Sequence, residues 1–322
     1  MRVLLVKLSS LGDVLHNLPV ASDLVRAHPD ARIDWITEAP YAQLVALHPG
    51  VRAVFETHLR TLKKQWWAPK AWSLMRDDKS RLRGQSYDVI LDTQGLVKSA
   101  IVARWANGPI AGFSRESVRE PFATRYYDRC ADIPRQLHAV ERNRRLAANI
   151  FGYELSDEVD YGLRLPASTT SALKSPYAVF LHATSRNNKM WPEEQWIQLG
   201  KRLGERGISV ILPWGNATER SVSERLAQSI PMATVPPPMS LTEAAMLLSD
   251  ARGVVGVDTG LAHLAVALQR PTIGLYVTTS PALTGLYGNT LAINLGGGSP
   301  GQPMTPSVDE AWAAWRRLLD QD

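Results

Sequence analysis

Only one cysteine, Cys130, occurs in 322 residues. An internal disulfide is therefore excluded, and a single buried thiol used for packing fits a reducing compartment. Neither G-x-G-x-x-G nor G-x-x-x-x-G-K-[ST] occurs, which argues against dinucleotide and P-loop readings. The seven histidines are scattered without ligand spacing, so neither a metal nor a cofactor is expected. No apolar stretch reaches the roughly 18 residues of a membrane-spanning helix. The apolar run at residues 3–6 is too short for a secretory signal, and no cleavage site follows it. These absences predict a soluble or peripheral cytoplasmic protein. The net charge of +5 favours an anionic partner. No recognised nucleic-acid motif is present, so nucleic acid is not the expected one.

What the chain does have is a strand–helix rhythm. Its length suits two domains of about 150 residues each. Residues 3–6, 32–37, 51–55, 88–92 and 109–113 read as strands with helical patterns between them. The rhythm lapses over the arginine-rich residues 114–145 and a polar link at 156–175. It restarts at residue 177, with further strands at 209–215, 253–260, 271–277 and 291–295. Helices are expected at 193–205, 218–229, 241–251, 261–268 and 307–319. The fold class is α/β: two Rossmann-like domains in tandem, each a parallel sheet with helices on both faces. Expected boundaries are 1–165 and 170–305, with a terminal helix over 306–322 packing back on the N-terminal domain. Pro19 interrupts the first helical pattern. A short turn over 13–18 and a main helix starting at Pro19 resolve this, because proline suits a helix's first turn.

Three strand ends carry polar residues where open α/β sheets bind ligands. The first is Ser9-Ser10-Leu11-Gly12-Asp13. Asp13 reads either as a helix cap or as a general base, with His16 one turn on. The second is the loop from His182 to Glu194. Thr184, Ser185 and Lys189 ahead of a helix start at Pro192 suit a diphosphate, and a solvated loop with a capping threonine is the plainer alternative. The third is Val257-Asp258-Thr259-Gly260-Leu261-Ala262-His263. Its helix start suits a phosphate, and Asp258 suits sugar hydroxyls, although a simple cap would read the same way.

A basic segment at 60–83 interleaves Arg60, Lys63, Lys64, Lys70 and Arg76 with Trp66, Trp67 and Trp72. It suits an anionic membrane surface. The alternative is a solvated helix with its tryptophans turned inward. Arg115, Arg119, Arg125 and Arg129 form a second basic set.

The segments KLSSLGDVLHNLP, DTQGLVKSA, REP (119–121), HATSRNNKMWPEE, PWG (213–215), PPMSL (237–241) and VDTGLAH resemble the bacterial lipopolysaccharide heptosyltransferases in content and order. The H-A-T-x-R-x-x-K-x-W-P loop is more similar to the type I branch than to type II. The resemblance implies a GT-B glycosyltransferase, with two Rossmann-like domains facing across a cleft. The N-terminal domain would bind the acceptor and the C-terminal domain the ADP-heptose. Such an enzyme moves L-glycero-D-manno-heptose from ADP-heptose to a Kdo sugar of Kdo-lipid A at the cytoplasmic face of the inner membrane. It inverts the anomeric centre and uses no metal. Carried over residue by residue, the resemblance implies Asp13 as base and Lys189 on the donor phosphate. Thr184, Ser185, Asp258, Thr259, Gly260 and His263 fall on the donor, with Glu219 and Met239 near the adenosine. Ser10, Gly12, Arg60, Lys63, Lys64 and Arg119 are the acceptor candidates. Ser185 stands where the family has threonine, and Asn187 and Asn188 stand where acidic residues are expected. Rival readings are heptosyltransferase II, another GT-B nucleotide-sugar enzyme such as an epimerase, and a non-catalytic nucleotide- or lipid-binding module.

Overall fold

A computed structural model of the chain describes residues 1–59, 61, 67–166, 176–184, 187–288, 291–298 and 304–319. The chain divides into two compact units, Met1–Arg164 and Leu165–Asp322.

The first unit holds one parallel sheet in the order β3-β2-β1-β4-β5-β6. Its strands are β1 (Arg2–Val6), β2 (Arg32–Glu38), β3 (Val51–Thr57), β4 (Val89–Asp92), β5 (Ile110–Phe113) and β6 (Arg129–Ala131). Val3 to Val6 are each 0% exposed. A strand covered on both faces reads as a continuous apolar run, which is why β1 and β4 show no alternation. Leu4, Val6, Leu8, Ile90, Val102 and Trp105 form a core on one side of this sheet.

The second unit holds β7 (Tyr177–Leu181), β8 (Ser209–Ile211), β9 (Ala233–Thr234), β10 (Gly253–Val257), β11 (Thr272–Tyr276) and β12 (Ala292–Gly296). Their order is β12-β11-β10-β7-β8-β9, again all parallel. Counted from its own first strand, each sheet runs 3-2-1-4-5-6, the doubly wound order. The order reverses between β1 and β4 in one unit and between β7 and β10 in the other. At those crevices, beyond the carboxyl ends of the strands, such sheets bind ligands.

Several expectations need correction. The terminal helix, Val308–Leu319, contributes to a core within the second unit. Ala311, Ala314 and Trp315 join the core of their own unit with Leu199, Leu203, Val255 and Ile273. Acidic Asp309 and Glu310 and basic Arg316 line the outer face and give no hint of which sheet is covered. Cys130 is exposed rather than buried, because it lies on the edge strand β6. β6 and the two-residue β9 are too short to register as apolar runs, and the helix Ala39–Val45 escaped detection. Pro19 sits in the first turn of the helix Leu18–Ala27, which starts one residue earlier than expected and follows a five-residue helix, Leu11–Leu15.

Candidate active site

The first carboxyl edge is built on β1 and β4. Beyond β1 the chain turns into the helix Leu11–Leu15, with Asp13 at its third position. The Asp13 carboxylate accepts from the Ser10 backbone N–H at 2.8 Å and from the Ser10 hydroxyl at 3.1 Å, both at Oδ2. Asp13 is therefore a capping residue in fact. Among the described residues no hydrogen bond reaches Oδ1, so capping leaves one oxygen for other chemistry. His16 is buried, and its ring stands edge-on to that of His138 at 5.4 Å.

The loop bearing Asp13 is fixed from β4. Gln94 Oε1 accepts from Leu8 N at 2.9 Å and Ser9 N at 3.2 Å, and Gln94 Nε2 donates to Ser9 O at 2.6 Å. Gln94 is in turn placed by Asp92, which accepts from the Gln94 and Gly95 backbone N–H groups, the Tyr127 hydroxyl and the Ser99 hydroxyl. Burial raises the Asp92 pKa, and these hydrogen bonds oppose the rise. Gly95 has φ +67, and a Cβ there would come 3.1 Å from the Val118 side chain, so the turn requires glycine. Glu120 caps the next helix by accepting from Val97 N at 2.7 Å, which seats the Val118–Glu120 loop over this turn.

Beneath lies Lys7. Its ammonium donates to Thr93 O and, at 3.4 Å, to Asn143 Oδ1, while Asn143 Nδ2 donates to His16 O at 3.1 Å. Burial pushes the Lys7 pKa down to about 8 against the pull of Asp13 and Asp92. Arg119, which is exposed, and Arg142 add to the lowering. Asp13 and Arg119 thus act electrostatically on one buried amine, which puts both near this sheet edge. Sequence reasoning missed Lys7, Gln94, Asp92 and Tyr127 as site-building residues. The lysine that interrupts the apolar run after Val6 and the D-T-Q-G turn after β4 were the available signals.

The second carboxyl edge is built on β7 and β10. Asp258 follows β10 and is half-buried. Lys189, on a short 3₁₀ turn, donates to Asp258 Oδ2 at 2.5 Å. Thr279, beyond β11, donates its hydroxyl to the same oxygen at 2.9 Å. Thr184 Oγ1 donates to Asp258 O at 3.2 Å and ties the two central loops together. Lys189 and Asp258, read separately in the sequence, are one ion pair. Thr259 is the N-cap of the helix Gly260–Ala267 but makes no side-chain cap bond. His263 is buried one turn in. His182, at the end of β7, is buried against Ser223, with Nε2 and Oγ 2.8 Å apart, and burial lowers its pKa to about 4.

Glu219 and Met239 lie on neighbouring loops. Glu219 accepts from Gly215 N and from Asn216 Nδ2, each at 2.7 Å. Trp214 Nε1 donates to Pro236 O at 2.9 Å, joining the loop after β8 to the loop that bears half-buried Met239. Arg60, Lys63, Lys64 and Ser185 lie outside the described residues. The helix Pro69–Arg83 is held by buried Asp78, which accepts from His58 N at 3.0 Å. Trp67 and Trp72 are 67% and 46% exposed, so they do not turn inward. Among the described residues no three His, Cys, Asp or Glu side chains group as metal ligands.

The family model for glycosyltransferase family 9 (heptosyltransferase) matches residues 75–307. The chain is 44% identical to lipopolysaccharide heptosyltransferase 1 of Pseudomonas aeruginosa over 94% of its own length and 86% of the relative's. It superposes on the Escherichia coli heptosyltransferase WaaC with ADP at a TM-score of 0.89, with 38% identity, covering 99% of this chain and 100% of the other. The same enzyme with ADP-2-deoxy-2-fluoro heptose gives a TM-score of 0.86 at 37% identity, covering 98% and 99%. Two doubly wound sheets, polar residues gathered at both crevices and these likenesses converge: the chain belongs to glycosyltransferase family 9, the heptosyltransferases, and is a glycosyltransferase of GT-B fold.

Proposed function

We propose that this enzyme transfers L-glycero-D-manno-heptose from ADP-heptose to a Kdo residue of Kdo-lipid A. The observation that carries the reading is the convergence of Lys189, Thr184 and Asp258 at one sheet edge, with a carboxylate, Asp13, at the other. Asp13 takes the proton of a Kdo hydroxyl through its open Oδ1 as the hydroxyl oxygen attacks the anomeric carbon. The carbon–oxygen bond to ADP breaks on the opposite side, so configuration inverts. The leaving diphosphate gains charge. Lys189 and the N–H groups at the start of the Gly260–Ala267 helix, with Thr259 and Gly260, supply positive potential without recourse to a metal. Asp258 accepts from heptose hydroxyls, His263 backs the phosphate turn, and Ser185 adds a hydroxyl beside the phosphate. Glu219 and Met239 border the adenosine.

On the acceptor side, Ser10, Gly12 and Arg119 lie by the base, and Arg60, Lys63 and Lys64 supply cations for a phosphorylated, carboxylated acceptor. The same reading puts the enzyme peripherally at the cytoplasmic face of the inner membrane. It is supported by exposed Trp67 and Trp72 beside exposed Lys70, Arg76 and Arg83. Among the described residues, no helix is long and apolar enough to cross a membrane.

The test is ADP release from ADP-heptose with Kdo-lipid A, without acceptor, and with an acceptor that already bears the first heptose. Release that depends on Kdo-lipid A is expected. Release only with the heptosylated acceptor would assign the enzyme to type II, and no acceptor-dependent release would end the proposal.

A further inference from the structure

We infer that Thr279 is a positioning residue for the sugar half of the donor. With Lys189 it occupies Asp258 Oδ2, so that Oδ1 is the oxygen offered to a sugar hydroxyl. This rests on the reading of Asp258 as the acceptor for heptose hydroxyls.

Asp258 is held from three sides. The Thr184 hydroxyl bonds its main-chain oxygen, the Lys189 ammonium bonds Oδ2, and the Thr279 hydroxyl bonds Oδ2 from the segment after β11. Among the described residues, nothing bonds Oδ1. An ionised carboxylate has about four lone-pair sites, two on each oxygen. Two donors on Oδ2 fill that oxygen and set the rotation of the carboxylate. A hydroxyl seeking a charged acceptor then has Oδ1, and hydrogen bonds to a charged acceptor are the strong ones.

The Thr279 segment is itself constrained. Ser280 caps the short helix Pro281–Thr284 by accepting from Ala282 N at 3.3 Å. A Cβ on Gly297 would stand 2.3 Å from Thr279 O, so the chain after β12 packs directly on the Thr279 backbone.

The two halves of the donor thereby separate chemically. Among the described residues, Lys189 spends one of its three N–H donors on Asp258, leaving two for a diphosphate. Thr279 has one hydroxyl proton, and it goes to Asp258. Loss of the threonine hydroxyl therefore weakens recognition of the sugar and leaves nucleotide binding in place.

The experiment compares calorimetric affinities of the full-length enzyme for ADP and for ADP-heptose, without acceptor. The variants are Thr279→Val, Thr279→Ala, Thr279→Ser and Asp258→Asn. Thr279→Val is expected to bind ADP-heptose about 10-fold more weakly and ADP within about twofold of the parent, the size of one lost hydrogen bond to a charged group. Thr279→Ala carries the same expectation if the valine variant does not fold, and Thr279→Ser restores binding by keeping the hydroxyl. Equal weakening of ADP and ADP-heptose, or of neither, in Thr279→Val and Thr279→Ala overturns the assignment. If Asp258→Asn loses the sugar-dependent affinity and the Thr279 variants do not, only the role of Thr279 fails. If Asp258→Asn also keeps that affinity, the reading of Asp258 fails with it.

Discussion

The first sheet's carboxyl edge holds its aspartate by hydrogen bonds, whereas the second holds its aspartate by an ion pair. Asp13 rides on a five-residue helix, with Oδ2 turned back onto Ser10. Its loop rests on a floor of buried polar groups: Gln94, Asp92 and Lys7 are 7%, 0% and 5% exposed. Asp258 stands directly at a strand end, half-buried, tied to the Lys189 ammonium and Thr279. The contrast matches what the proposed chemistry would need at each edge. A base must be aimed at one proton, and neutral hydrogen bonds from a rigid loop aim it without consuming its charge. A donor site must meet growing negative charge, and a preorganised cation does that.

The largest expected effect breaks the comparison at the base. Asp13→Asn should lower kcat by about 100- to 10,000-fold, the range of general-base assistance, with ADP affinity in calorimetry unchanged. Parallel loss of ADP binding would make Asp13 a cap alone. At the other edge, Lys189→Ala removes the cation and leaves Asp258 without its charged donor. Steady-state kinetics should show kcat/KM for ADP-heptose down about 100-fold, expressed in both kcat and KM, as expected for a charge-assisted contact to a leaving group. A change in acceptor KM alone would move Lys189 to the other substrate.

Gln94→Leu sharpens the contrast. It removes three hydrogen bonds to the Leu8–Ser9 loop and should lower kcat by about 10-fold, with a fall in melting temperature and no change in ADP affinity. A lowered melting temperature with unchanged kcat would show that the loop needs no such template.

The two units should respond alike to acid. Each buries a neutral histidine against a serine: His48 with Ser22 at 2.9 Å and His182 with Ser223 at 2.8 Å. Burial lowers both pKa values to about 4. Between pH 6.5 and 4 the unfolded chain binds a proton that the native unit does not, so stability falls as pH falls through that window. Each histidine accounts for up to about 3 kcal/mol, readable from urea midpoints of the parent and of His48→Gln and His182→Gln variants. A flat response in this window would mean that the rings are protonated in the fold.

Much of this was legible in the chain. Val3 to Val6 and Gly253 to Val257 are buried on both faces, so they appear as bare apolar runs that no surface requirement disguises. Asp13, Thr184, Lys189 and Asp258 stand out because small and polar residues after such a run mark a strand's carboxyl end. The terminal helix was legible as a helix, and its stripe of Val308, Ala311, Ala314 and Trp315 is the face that joins the core of its unit. Cys130 shows a limit, because exposure on an edge strand depends on which strand ends the sheet. Gln94 and Thr279 gave no signal of their roles. Gln94 meets Leu8 from 86 residues away and Thr279 meets Asp258 from 21, and both contacts exist only because of the order in which the strands are laid down.

By itself the amino-acid sequence determined the alternation of strands and helices, the two-unit plan and the identity of the groups at the strand ends. Those follow from local periodicity and turn chemistry, which act over a few residues. Only the tertiary structure decided which of those groups meet: Lys189 with Asp258, Gln94 with the loop of Asp13, and Lys7 with Thr93 just past β4. The reason is geometric. Parallel sheets join residues through crossovers tens of positions long, so the partners at each crevice are chosen by strand order and not by nearness in the chain.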